Sequence, residues 1–282
     1  MNAVAIVPIL LSACLAGALS AQSVYRAQTD AVVITAAVTD GRRPVTGLTA
    51  ADFEVRDNGV VQEIADFSRE TLPVDLTLTI DLSGSMKPAD RAVIERAIAR
   101  IGAALEPRDR AGISTFGQRI VERTALQHPP IRADVTGVGQ GGSAVLDALL
   151  LSLVTPPVSD RRQLVIFMTD GADTGSYFDS RLVVETAKYA SARTSVLLVP
   201  NRASSRTLGV LQAVASITGG EMTELKKKDE LGPSFLKALE DVRESYVIRY
   251  SPSGVQQPGW HELAVSLKSK SYRVRARQGY WR

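Results

Sequence analysis

Five oxygen-bearing side chains stand in three short glycine-bearing stretches: Asp81-Leu82-Ser83-Gly84-Ser85-Met86, Gly141-Gly142-Ser143 and Thr169-Asp170-Gly171. Asp81, Ser83, Ser85, Ser143 and Asp170 offer two carboxylates and three hydroxyls, with no sulfur or imidazole among them. These are hard ligands, suited to Mg²⁺, Mn²⁺ or Ca²⁺ rather than to zinc or copper. With water they suffice for an octahedral shell, and the adjacent glycines let the backbone turn sharply beside an ion. Other chemistries lack their parts. Gly141-Gly142 is no phosphate cradle, because no Gly-x-x-x-x-Gly-Lys-Ser/Thr occurs. No Gly-x-Ser-x-Gly is present, and neither His128 nor His261 has a motif that places it beside a serine. A Mg²⁺-dependent phosphatase of the haloacid dehalogenase type needs a second carboxylate two residues after its first aspartate, where this chain has Ser83.

Such a set works only if the fold gathers it, and the pattern of residues 73–244 supplies a means. Apolar runs at Val74–Ile80, Ala111–Phe116, Gln163–Met168, Ser195–Val199 and Glu221–Leu225 read as strands, with Ile120–Leu126 paired to the second of them around Gly117. Helical spacing marks Arg91–Leu105, Ala144–Val154, Leu182–Ala192, Thr207–Ile217 and Ser234–Arg243. Strands alternating with helices predict an α/β fold with a doubly wound, mostly parallel sheet. In such sheets ligands sit beyond the carboxyl ends of the strands, where strand order reverses. Two of the three stretches follow strands, and the third precedes the Ala144 helix.

The flanks differ. Residues 22–72 carry short alternating runs such as Ala31–Val38, punctuated by Asp40-Gly41 and Asn58-Gly59, which suit tight strand connections. Residues 245–282 are also strand-rich, through Tyr246–Tyr250, His261–Leu267 and Tyr272–Ala276. The two are expected to pair into one accessory β layer, packed in part by Trp260 and Trp281. Six basic residues and no acidic one lie between Lys268 and Arg282, expected to be the solvated face of a strand with a short tail. Residues 1–21 are uncharged and nearly all apolar from Ala3 to Leu19, ending Ala18-Leu19-Ser20-Ala21, which predicts an export signal cleaved before Gln22. Leu11-Ser12-Ala13-Cys14 offers the alternative of a lipoprotein box with Cys14 as the lipidated residue. Cys14 is the only cysteine, so cleavage after Ala21 would leave no disulfide and no thiol chemistry. A net charge of +3 gives no reason to expect nucleic acid as a partner, and no later apolar run is long enough to span a membrane.

Asp81-x-Ser83-x-Ser85 resembles the Asp-x-Ser-x-Ser signature of the metal-ion-dependent adhesion site in von Willebrand factor A domains. Ser143 falls where that family usually places a threonine, and Thr169-Asp170-Gly171 is similar to its third ligand loop. The likeness spans roughly Pro73 to Arg243. Pro44–Leu48, Asp52–Val55, Asp57-Asn58-Gly59 and Arg277-Gln278-Gly279-Tyr280 also resemble the flanks of VWFA-related proteins abundant in Acidobacteria. The resemblance implies that Ser83 and Ser85 bind the ion directly, that Asp81 and Asp170 lie close to it, directly or through water, and that Ser143 joins in one state of the domain. It further implies a protein partner that donates an acidic residue to the ion, no catalysis, and a shift of the final helix around Ser234–Arg243 on engagement. Serine for threonine at position 143 keeps the oxygen but loses the methyl that fixes its rotamer, so a softer site is expected.

Structural roles compete at each position. Asp81 and Ser83 could cap the helix that begins near Asp90, Ser143 could cap the Ala144 helix, and Asp147 and Asp173 are expected to be structural. His128 and His261 are expected at the surface. A metal-free structural domain is the remaining alternative.

Overall fold

The structure, a computed structural model, describes residues 31–69, 71–132, 135, 141–158, 160–200, 204–269 and 271–282. The expected leader 1–21, including Cys14, lies outside the described residues. Five short strands come first: β1 (Val32–Asp40), β2 (Arg43–Pro44), β3 (Phe53–Asp57), β4 (Val60–Gln62) and β5 (Asp66–Ser68). The middle then runs β6 (Val74–Asp81), α1 (Pro88–Ala103), β7 (Arg110–Phe116), β8 (Ile120–Gln127), α2 (Val145–Leu153) and β9 (Arg162–Thr169). It continues through α3 (Ser180–Tyr189), β10 (Arg193–Leu198), α4 (Ser205–Ile217), β11 (Met222–Glu224) and α5 (Leu231–Arg243). Last come β12 (Tyr246–Tyr250), β13 (Trp260–Leu267), β14 (Arg273–Arg275) and β15 (Gly279–Trp281).

The central sheet has the order β11-β10-β9-β6-β7-β8. Every neighbouring pair is parallel except β7–β8, which is antiparallel. Its first strand in sequence, β6, sits between β7 and β9, so strand order reverses there. Side-chain alternation along β6 divides the two faces. Val74, Leu76, Leu78 and Ile80, all 0% exposed, pack with α1 and α5, and each contributes about 1.5–3 kcal/mol of burial. Thr79 on the opposite face bonds Ser152 of α2 at 2.9 Å, a polar contact that lets α2 lie close. Helices α2, α3 and α4 cover this face around Val165 and Phe167 of β9.

Helix ends differ from expectation for local reasons. Helix α5 starts at Leu231 rather than Ser234, and Pro233 is tolerated there because first-turn amides have no partner within the helix. Helix α3 stops at Tyr189, and Ala190 and Ala192 are buried in the connection to β10 instead.

The flanks form two sheets, where one layer was expected. One has the order β14-β1-β12-β5 with β2 on β1, the other β15-β13-β3-β4. Each mixes strands from both ends of the chain. The apolar sides of both, among them Ile34, Val38, Phe53, Val55, Tyr246, Ile248 and Leu263, close on one another as a sandwich. Asn58 and Gly59, with φ of 46° and 81°, make the tight β3–β4 turn that their sequence announced.

Two expectations about polar residues are corrected. His261 is not at the surface but 1% exposed in the sandwich core. Its Nδ1 faces Asp57 Oδ1 at 2.8 Å and its Nε2 faces the Gln257 carbonyl at 2.7 Å. Asp57 also accepts from the hydroxyls of Tyr250 and Tyr280, each at 2.8 Å. Burial and these bonds to Asp57 push the Tyr280 phenol up to about 12. His128 is exposed, as expected. The basic C-terminal run is not simply a solvated face either. Arg275, 10% exposed, bonds Glu221 and Asp241, and Arg273 bonds Glu221 at 2.7 Å. With Arg193, whose side chain bonds the Thr35 and Arg275 carbonyls, these residues tie the sandwich to the α/β unit. Burial, then the nearby Arg275 charge, lowers Arg193 to about 10 despite the opposing pull of Asp241. Trp260 and Trp281 do pack at the sandwich edge, with ring centroids 6.4 Å apart, and Trp281 stacks on Tyr189 of α3 at 5.1 Å. Among the described residues no helix is long and apolar enough to cross a membrane.

Candidate metal-binding site

The period of two that aims Leu78 and Ile80 at α1 aims Thr79 and Asp81 at α2. Asp81, the last residue of β6, is 0% exposed. In β9 the same alternation places Phe167 and Thr169 on the α2 face, and the pairing of Ile80 with Met168 brings Thr169 beside Asp81. Thr169 Oγ1 donates to Asp81 Oδ2 at 2.8 Å. Asp170 follows, just past the strand end.

The connections then fold inward. Ser83 N donates to Asp81 Oδ1 at 2.9 Å, turning the chain immediately after β6. Ser83 Oγ lies 3.1 Å from Ser85 Oγ, and Ser85 Oγ donates to Asp170 Oδ2. Ser143 Oγ donates to Asp81 Oδ2 at 3.3 Å, the longest of these bonds. All five residues read from sequence therefore share one hydrogen-bonded cluster at the carboxyl edge of the sheet, at the reversal of strand order. Backbone bonds lace the loops together: Leu82 N to Phe116 O at 2.7 Å, Gly84 N to Gly141 O at 3.3 Å, and Ala144 N to Gly117 O at 2.9 Å. A side chain on Gly142 would meet Thr174 Oγ1 at 2.8 Å, so that position stays glycine for lack of room.

Among the described residues the cluster reaches solvent at Gly84 and Ser85. Asp81, Ser83, Ser143 and Asp170 are buried, while Gly84 and Ser85 are exposed. Burial pushes the Asp81 carboxyl above its ordinary value, hydrogen bonds from Ser83 and Thr169 pull it back, and the Asp170 charge adds to the rise. A small hard cation would relieve both the burial penalty and the repulsion, and the hydroxyls alongside are donors it accepts. The residues present therefore fit a divalent ion. Among the described residues no group of three or more His, Cys, Asp or Glu side chains is placed to hold a metal.

The capping alternatives fail. The residue preceding α1 is Lys87, whose amide donates to Asp90 Oδ2 at 2.8 Å, so Asp81 and Ser83 take no part in that helix start. Ser143 does not cap α2 either. Ala144 precedes that helix, and its first amides are satisfied from another loop: Val145 N by Asp173 Oδ1 at 3.0 Å and Leu146 N by Ser176 Oγ at 2.9 Å. Asp173 is thus structural, as is Asp147, which accepts from the amides of Tyr177 and Phe178. Thr169 and Thr174, which nothing in the sequence singles out as site residues, position Asp81 and, through the Ser143 amide at 2.9 Å, Ser143 itself. The signal for an external cap was present, since alanine at the start of α2 has no side-chain acceptor to offer.

Strand order, helices on both sheet faces and a loop cluster at the switch point together are those of a von Willebrand factor A type of fold. No family model matches the chain, and no curated protein does. Among solved structures, proximal thread matrix protein 1 from the mussel byssus is similar to it, with a TM-score of 0.51 and 16% identity over 66% of this chain and 49% of that one. This chain spans about half the length of that mussel protein, which is also known with a zinc-occupied MIDAS motif. A von Willebrand factor type A protein from Catenulispora acidiphila aligns with a TM-score of 0.48 and 14% identity over 81% of this chain and 72% of that one. The ArnB paralog VWA2 from Sulfolobus acidocaldarius aligns at 0.48 and 11% identity over 87% and 73% of the two chains.

Proposed function

We propose that this chain is an exported, divalent-cation-dependent protein-binding module whose partner supplies an acidic residue to the ion. The observation that carries this reading is the convergence of Asp81, Ser83, Ser85, Ser143 and Asp170 from loops far apart in sequence into one cluster with an open side. Ser83 and Ser85 would hold the ion through their hydroxyls, with Asp81, Asp170 and Ser143 completing the protein's share, and Mg²⁺ or Mn²⁺ suits the set best, with Ca²⁺ the next choice. When bound, the ion supplies an electrophilic centre that takes a carboxylate oxygen. The chain's own residues do the rest. Thr169 holds Asp81 in place, the Ala172 amide fixes Asp170 Oδ1 at 2.9 Å, and Thr174 fixes the Ser143 backbone.

A binding role is favoured over serine hydrolysis because neither histidine accompanies the serines. His261 is bonded inside the sandwich, and His128 Nδ1 faces the Asp109 carbonyl at 2.9 Å, at the other end of the sheet. Export rests on residues 1–21. The narrower likeness to VWFA-related proteins of Acidobacteria rests on the flanking segments, which here build the sandwich.

Metal-dependent capture from extracts of the source organism tests this function. A specific partner released by EDTA and not captured by Asp81→Ala is the expected result. Robust phosphatase activity removed by Asp81→Ala would overturn it in favour of a metal-dependent hydrolase.

A further inference from the structure

The segment that caps α2 also carries the most exposed aromatic ring in the described structure, and it abuts the candidate metal site. Tyr177 is 95% exposed and Phe178 is 48% exposed. Exposed aromatic side chains on a mobile tip would mean little, but this backbone is held. Tyr177 N bonds both Asp147 carboxylate oxygens at 3.0 Å, and Phe178 N bonds Asp147 Oδ1 at 3.0 Å. Upstream, Thr174 N and Gly175 N bond the Ser143 carbonyl at 2.9 and 3.0 Å, and Ser176 Oγ accepts from Leu146 N. The same loop therefore packs against the corner of the site at Ser143 and, two and three residues past Gly175, carries two exposed aromatic side chains. Both amides are spent on Asp147, which leaves the side chains, not a strand edge, as what the loop offers a partner. Aromatic side chains have few rotatable bonds to immobilise on association, and they are the residue types that anchor interfaces.

We infer that Tyr177 and Phe178 form an apolar platform for the same partner segment that engages the ion, so that this segment carries an acidic residue with a large apolar or aromatic residue close to it in sequence. This inference rests on the metal-site reading above and names the partner's chemistry. The acid matches the cation, and the neighbouring apolar side chain matches the platform. Nothing in the cluster itself would recognise that second residue, because its donors are all oxygens.

The probe is a pair of blocked peptides, one with a single glutamate among glycines and one with a phenylalanine replacing the glycine after the glutamate. Both are titrated by NMR into the purified protein with Mg²⁺ or Mn²⁺, alongside the double variant Tyr177→Ser/Phe178→Ser. The phenylalanine peptide should bind wild type about tenfold more tightly than the glycine peptide. In the double variant the two should bind alike, while ion affinity by calorimetry stays at the wild-type value. An ion-loaded wild type that binds both peptides equally, or neither, overturns the platform while leaving the metal site standing. A gain that persists in the double variant also overturns it. Failure of the wild type to bind the ion overturns the metal reading, and the platform falls with it.

Discussion

Replacing Asp81 by asparagine should separate ion binding from folding. The asparagine keeps an oxygen to accept from the Ser83 amide, and its NH₂ can donate to the Thr169 and Ser143 hydroxyls once these rotate. It removes a buried charge whose ionised form is disfavoured first by burial and then by Asp170. Without ions, therefore, the variant should match wild type to within about 1 kcal/mol or exceed it. Because the folded carboxyl lies above its ordinary 3.8, its contribution is fully present below that value and is lost as pH rises through the folded one. In EDTA, wild type should accordingly lose ground to Asp81→Asn as pH rises above 3.8.

With Mg²⁺ or Mn²⁺ the order reverses. Removing one of only two carboxylates should weaken binding by at least roughly 100-fold, or about 2.7 kcal/mol. Free ion at about 100 times its Kd stabilises wild type by about 2.7 kcal/mol, which raises Tm by about 5–10 °C. Asp81→Asn should show almost none of that rise. Asp81→Ala, which strands the Ser83 amide and two hydroxyls, should lose about 2–4 kcal/mol even in EDTA. Thermal unfolding with and without ion, together with calorimetry, reads all three proteins. An asparagine variant whose Tm rises with ion as steeply as wild type would refute the assignment of Asp81 to the site.

Other expectations follow from the same contacts. Asp75, 4% exposed, accepts from Arg110 and Arg161, and although burial raises its carboxyl the two guanidiniums outweigh that and hold it below its ordinary value. Asp75→Asn should cost about 2–3 kcal/mol at neutral pH, less than for a fully buried pair because Arg110 is 31% exposed; the deficit should shrink as pH falls below 3.8, and a deficit independent of pH in denaturant titrations would contradict it. Asp57→Asn turns an amide toward Tyr250, Tyr280 or His261 and should destabilise the protein by about 2–4 kcal/mol in urea unfolding without changing ion affinity; a loss under about 0.5 kcal/mol would show that the cluster is not holding the sandwich. Ser143→Thr, with a stiffer side chain, should tighten ion binding by roughly two- to fivefold in calorimetry; weaker binding would mean that the buried corner has no room for the methyl.

Much of this protein was legible before any coordinates. Hard-oxygen residues beside glycines mark the side chains that the fold gathers into one cluster, and near-continuous apolar runs give β6, β7, β9 and β10 to within a residue or two, because burial on both faces leaves an unmistakable pattern. Asn58-Gly59 announces its turn because few other dipeptides take positive φ at both positions.

What only the tertiary structure decided concerns partners distant in sequence. Nothing local tells His261 that Asp57 awaits it across 204 residues, or Arg275 that Glu221 and Asp241 lie beside it, so a buried histidine and a strand arginine tied into ion pairs both looked solvated. Nor does sequence show that the start of α2 is capped by Asp173 and Ser176 rather than by Ser143. Composition and periodicity report how each residue meets its near neighbours and the solvent. Charge pairing and hydrogen bonding across the fold depend on where the chain returns, which the packing of sheets and helices fixes only when the whole molecule closes.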